Sequence, residues 1–201
     1  MINRREILID LVNRYKLQSY LELGLRDSSL TFDHIPCTFK FSVDVESRCK
    51  PSFCGSTDEF FKQSKEKFDL VLVDANHEAE FVYRDLMNSV RCLSDNGIVV
   101  LHDVLPIRFE DTSNNLDNGT AWKVVPHVLK YHPELHICTV PETKCGCGIV
   151  IKNFEGWRAM LDTSFNLFYD YHVMNQYRVK SQNLISYSRL SDWVQKPFYQ
   201  F

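Results

Sequence analysis

Apolar positions along the chain fall into two rhythms. From Phe68 to Val73 they form a short run rich in Val and Leu, interrupted only by Asp69, and then they recur at Phe81, Val82, Leu86, Val90 and Leu93. A second run follows from Ile98 to Leu101. A short, mostly apolar run of this length fits a parallel strand buried on both faces, and spacing by threes and fours fits a helix from about Glu78 to Leu93. Asn96-Gly97 punctuates the return to the second strand. A right-handed crossover makes the two strands parallel and neighbours. Each run ends in polar residues, Asp74 with His77 on one and His102-Asp103 on the other. Open α/β sheets bind ligands at the carboxyl ends of their strands, so these four residues form the candidate site.

The same rhythms extend outwards. Ile7, Leu8, Leu11, Val12 and Tyr15 predict an N-terminal helix over residues 2–16. Residues 19–24 and 39–45 read as strands, the second ending in Asp44-Val45-Glu46, and Phe53-Cys54 as a very short third. Ser28 or Ser29 is expected to cap a helix running to about His34. Ser56 or Thr57, followed by Asp58 and Glu59, has the look of a capping box. After a long polar stretch, residues 104–119, a helix is expected over 120–131, bent or started late by Pro126. Residues 135–140 and 147–151 are two more strands, and the short link between them requires one to run antiparallel. The expectation is a Rossmann-like, doubly wound α/β fold: a mostly parallel seven-stranded sheet with helices on both faces. Residues 1–153 form that domain. Residues 154–201, rich in aromatic residues, form a helical C-terminal extension that packs on the domain or on a second copy of the chain.

Composition narrows the partners. With 201 residues, 44% hydrophobic and 24% charged, the chain can fill one sizeable core. A net charge of −3 gives no reason to expect nucleic acid. No run approaches the ~20 apolar residues of a membrane span, and charges interrupt the apolar positions of the first fifteen residues, unlike a signal peptide. Seven cysteines, mostly single, read as reduced thiols of a cytoplasmic protein. Cys145 and Cys147, one residue apart, make a poor zinc pair.

The first strand-to-helix turn is where a nucleotide would lie. Gly24 lets backbone approach a ligand, and an acid ending the next strand, Asp44, can accept from ribose hydroxyls. The blocks YLELGLRDSS, FSVDVES, CGSTDEFF, FDLVLVDANHEAEFVYRDL and LSDNGIVVLHDVLP, in that order, resemble class I S-adenosylmethionine-dependent methyltransferases. They look most like the branch of macrocin-type sugar O-methyltransferases, over roughly residues 15 to 152. That resemblance implies that Glu22 and Gly24 hold the methionine end of S-adenosylmethionine, that Asp44 binds its ribose, and that Gly55-Ser56 lies near the adenine. It places Asp74 against the reactive end. Arg26-Asp27-Ser28-Ser29 stands where the family usually carries a second glycine.

In that branch, acids ending the fourth and fifth strands bind a divalent cation, usually magnesium. Asp74 and Asp103 match those positions, with His102 where a second carboxylate is usual; a histidine there would shift preference towards a transition metal. Methyl transfer to a hydroxyl also needs a base, and His77 or Asp74 is the candidate, since Asn76 is an amide. The acceptor implied is a small-molecule hydroxyl, such as that of a sugar or glycan precursor. Two other readings stay open on the residues alone. One is a metal-dependent hydroxylase- or hydrolase-like enzyme built on Asp74, His77, His102 and Asp103. The other is a binding module whose cofactor turn has decayed.

Overall fold

A computed structural model describes residues 2–113, 118–152 and 169–195. Helix α1 (Arg4–Tyr15) opens the chain. The Asn3 side chain accepts from the Glu6 backbone N–H, the Glu6 carboxylate accepts from the Asn3 N–H, and Lys16 ends the helix in a left-handed conformation. Seven strands follow: β1 (Ser19–Leu23), β2 (Phe39–Asp44), β3 (Phe53–Cys54), β4 (Phe68–Val73), β5 (Leu93–His102), β6 (Leu135–Val140) and β7 (Cys147–Lys152). They form one sheet in the order β3-β2-β1-β4-β5-β7-β6. All neighbours are parallel except β7, which runs antiparallel to both β5 and β6, as the short link between β6 and β7 requires.

Alternation along the strands divides the core into two layers. Leu21, Leu23, Val71, Val73, Val99 and Leu101 face helices α2 (Thr57–Gln63), α3 (Ala79–Cys92) and α4 (Val124–Tyr131). Tyr20, Leu70, Leu72, Ile98 and Val100 face α1 on the opposite side, together with the C-terminal helix α7 (Leu190–Gln195), which contributes Leu190 and Val194. The Rossmann-like expectation, with helices on both faces, therefore holds. A helical C-terminal part is also present, in α5 (Tyr171–Gln176), α6 (Arg178–Ser181) and α7. Trp157, Phe165, Phe168, Phe198, Tyr199 and Phe201 of the aromatic-rich stretch lie outside the described residues, as does the expected boundary after residue 153.

Local differences have physical causes. The turn after β1 gives two single 3-10 turns, Ser28–Leu30 and Phe32–His34, in place of a capped α-helix. Asp27, rather than either serine, is the cap: it accepts from the Ser29 N–H and hydroxyl, while Ser28 donates to Asp33. Such side-chain bonds compete with helix continuation, and Pro36 lies just beyond. On α3, Phe81 lies half-buried with the Arg84 guanidinium 4.8 Å from its ring centre, and Asp85 takes an inward position instead. Pairing of β5 with β4 begins at Leu93, skips Ser94–Gly97 and resumes at Ile98, so Asn96-Gly97 bulges out of a longer strand. Pro126 is the third residue of α4, where its missing N–H would have had no partner in the helix.

Ser56 caps α2 with Glu59 reciprocating, as the capping-box pattern predicts. Leu72 has no exposed surface and fills the layer under α1. Leu72→Ala is expected to cost about 2–5 kcal/mol in urea unfolding, with the far-ultraviolet spectrum of the folded state unchanged.

Candidate active site

Each strand of the central sheet hands its ladder to one further residue. The Gly24 N–H donates to the Val43 carbonyl, the Gly55 N–H to the Asp44 carbonyl and the Asp74 N–H to the Leu23 carbonyl, each at 2.9 Å. Gly24, Asp44, Gly55 and Asp74 therefore stand in a row along the carboxyl edge. Gly24 has φ +89°, and a Cβ there would run into the Asp74 backbone. Only glycine lets the two turns approach this closely. The Gly24 turn thus packs directly against the Asp74 turn.

Asp44 is already at work in that edge. One carboxylate oxygen accepts from the Arg26 N–H and the other from the Glu46 N–H, both at 2.8 Å. Each oxygen keeps a second lone pair, so a ribose diol can still be accepted. Glu22 lies on the α1 side of β1, almost fully buried, and the Tyr20 hydroxyl donates to it at 2.7 Å. Burial pushes its carboxyl up to about 8, with the Tyr20 bond opposing and the Asp74 charge adding to the rise.

At the Asp74 turn the two carboxylates and two imidazoles converge. Val73 pairs with Leu101, which puts Asp74 beside His102 rather than beside Asp103. Asp103 then takes φ +59°, a left-handed turn that swings its carboxylate back to the group. His102 Nδ1 lies 3.1 Å from Asp74 Oδ1 and 3.1 Å from Asp103 Oδ2; His77 Nε2 lies 3.6 Å and 3.3 Å from the same two oxygens. Each imidazole thus bridges both carboxylates. His102 meets the carboxylates because β5 extends through it, one residue beyond the apolar run that ends at Leu101. Burial opposes charge on His102, but Asp74 and Asp103 outweigh it and raise its pKa to about 9. Burial likewise opposes charge on Asp74, yet the charge and hydrogen bond of His102, with His77 and Arg4, hold its carboxyl well below the usual range.

Two contributors were not foreseen. Arg4, the first residue of α1, reaches the group because α1 runs antiparallel to β1 and so starts at the carboxyl edge. Its guanidinium lies 2.9 Å from Asp74 Oδ2 and 3.2 Å from His102 Nδ1, and its Nε donates to the Thr31 hydroxyl at 3.2 Å. The second is the Asn118-Gly119-Thr120 run. The Thr120 N–H donates to the His77 carbonyl at 2.8 Å, the Thr120 hydroxyl accepts from the Ala79 N–H at 2.8 Å, and the Asn118 side-chain amide donates to the Asp103 carbonyl at 3.1 Å. Thr120 thereby serves the start of α3, whose own N-cap residue Glu78 makes no side-chain capping bond. The turn signal of Asn118-Gly119 was visible in the sequence, but its docking partner was not. Trp122, Cys145 and Cys147 are buried.

Asp74, His102 and Asp103 offer three ligand atoms within 4.8 Å of one another, a spacing that could hold a metal ion. A divalent cation there would share Asp74 with the Arg4 guanidinium, which carries a permanent positive charge. As arranged, the residues do not fit the magnesium ion that the resemblance implied.

Glu22 makes a pH prediction. A carboxyl whose folded-state pKa is raised contributes stability that is full below about 4.5 and lost as pH rises through about 8. Glu22→Gln cannot ionise, so it should gain on the wild type as pH rises from about 5 to about 8. Urea unfolding across that range measures it; parallel curves for the two proteins would show that Glu22 ionises freely when folded.

Comparison with known proteins bears on the fold. Residues 27–104 match the family described as a methyltransferase domain. No curated protein matches the chain. Among solved structures, the S-adenosylhomocysteine-bound methyltransferase PaMTH1 of Podospora anserina aligns with a TM-score of 0.56 and 18% identity, covering 76% of this chain and 80% of that one. The O-methyltransferase TomG of Streptomyces achromogenes, involved in tomaymycin synthesis and solved with S-adenosylmethionine, aligns with a TM-score of 0.56 and 13% identity over 74% and 79%. An O-methyltransferase of Bacillus cereus in complex with S-adenosylhomocysteine gives 0.53 and 11% over 76% and 83%. At such identities the structures establish the fold, and the methyltransferase-domain match covers residues 27–104 of it.

Proposed function

We propose that the chain transfers the methyl group of S-adenosylmethionine to a hydroxyl oxygen of a small molecule such as a sugar. The observation that carries this reading is the close approach of the Gly24 and Asp74 turns at the carboxyl edge, with the carboxylate–imidazole group built on Asp74 itself. In this reading Glu22 and Gly24 hold the methionine end of the cofactor, Asp44 accepts from its ribose, and Gly55 and Ser56 lie near the adenine. When bound, the cofactor supplies an electrophilic methyl group on a sulfonium.

The chain's own task is to align an acceptor oxygen with that methyl group and to remove the acceptor's proton. Alignment in an in-line displacement supplies much of the rate. His77 is the base. With Nε2 carrying its proton towards Asp103, the lone pair of the ring falls on Nδ1, and the carboxylates stabilise the imidazolium that forms. Asp74, the other candidate, has too low a proton affinity to compete, and acts as the counter-ion of Arg4 and His102. Neighbouring His102 is a poor base for the opposite reason, being protonated through neutral pH.

Calorimetric titration with S-adenosylhomocysteine tests the cofactor assignment. Micromolar binding is expected, with Asp44→Ala weaker by about tenfold or more, the order of one or two lost charge-assisted hydrogen bonds. No binding by the wild type would remove the cofactor from the reading. In a methyl-transfer assay against sugar and other hydroxyl acceptors, His77→Gln should lower kcat by about 10²–10⁴ while leaving S-adenosylhomocysteine affinity unchanged. An undiminished kcat in that variant would place the base elsewhere.

A further inference from the structure

We infer that Arg4 is a built-in cation for the Asp74–Asp103 pair and keeps divalent metal ions out of it. The arrangement is specific. The capping box of Asn3 and Glu6 fixes the start of α1, and that start lies at the carboxyl edge of the sheet. From there the Arg4 side chain is held at both ends: Nε donates to Thr31, itself buried, and a terminal nitrogen lies 2.9 Å from Asp74 Oδ2. The same nitrogen stands 3.2 Å from His102 Nδ1. Arg4 thus lies between two of the three residues whose ligand atoms would surround a metal.

A guanidinium cannot give up its proton to make room for an incoming ion. An ion bound to Asp74 through Oδ2 would have to displace Arg4 from both of its partners. One bound through Oδ1 would sit within a few ångströms of the same positive charge, in a site partly shielded from water, where repulsion is strong. Arg4 supplies what a divalent ion would otherwise supply to Asp74, namely a fixed opposite charge. Insofar as this assigns the proton transfer to His77 alone, it rests on the proposed methyl transfer. The exclusion of metal does not, and is measured without cofactor or acceptor, so the two fail separately.

The test is Mn²⁺ binding followed by electron paramagnetic resonance, with Mg²⁺ as competitor, on the full chain and on Arg4→Ala and Arg4→Gln. Arg4→Gln keeps a donor for Thr31 and much of the side-chain length, so it remains informative where Arg4→Ala fails to fold. Both variants are expected to bind Mn²⁺ about tenfold or more tightly than the wild type, the direction set by removing one nearby positive charge. Adding Asp74→Asn to either variant should abolish the gain, locating the ion on this cluster. Mn²⁺ affinity in the wild type equal to that of the variants, or no binding by any of them, would overturn the inference.

Discussion

The site depends on one requirement of the sheet. Strands β1, β4 and β5 are covered on both faces, so every backbone N–H and carbonyl in them must be satisfied by a neighbour. The ladder meets that requirement until the strands end, and it ends at nearly the same level in β1, β2 and β4. Only there can a glycine turn, an unpaired carboxylate or a ring nitrogen emerge without cost to the core. The alignment of Gly24, Asp44, Gly55 and Asp74 is a by-product of strand register, and chemistry is confined to that edge.

Charge in this corner is then arranged by burial. Four groups lie largely out of water: the carboxylates Asp74 and Asp103 and the cations Arg4 and His102, each close to a group of opposite sign. A buried carboxylate alone is costly, and two side by side more so. His102 retains its proton because the carboxylates surround it, and Asp74 gives up its own because cations do. His77 touches the same carboxylates but is more exposed than His102, which makes it the member best placed to meet a molecule from solution.

Much of this was legible in the sequence, for a reason that also marks where legibility stops. Buried strands are short runs dominated by apolar residues, so Phe68–Val73 and Leu135–Val140 could be placed to the residue. Their ends then named Asp74, His77, His102 and Asp103 as a group, because polar residues at strand ends are positioned by topology alone. Side chains arriving from other elements carried no such signal. Arg4 sits in an ordinary amphipathic helix and reads as a solvated charge until α1 is laid antiparallel to β1. Thr120 reads as a loop residue until it is found bonded to the start of α3. The turn after β1 misled in the opposite direction, since serines that could cap a helix were outcompeted by Asp27.

The two edges of the sheet are protected by different means. At one, β3 is only two residues long and offers little to pair with. At the other, residues 183–185 lie along β6: the Thr139 N–H donates to the Asn183 carbonyl and the Ile185 N–H to the Thr139 carbonyl. That cover comes from more than forty residues further along the chain. During synthesis, β6 therefore leaves the ribosome with an open edge and stays so until the segment that seals it has been made. For that interval the sheet has a ready template for strand addition by a neighbouring nascent chain, which makes vectorial folding, rather than the finished structure, the stage at which this molecule is most exposed to misassembly.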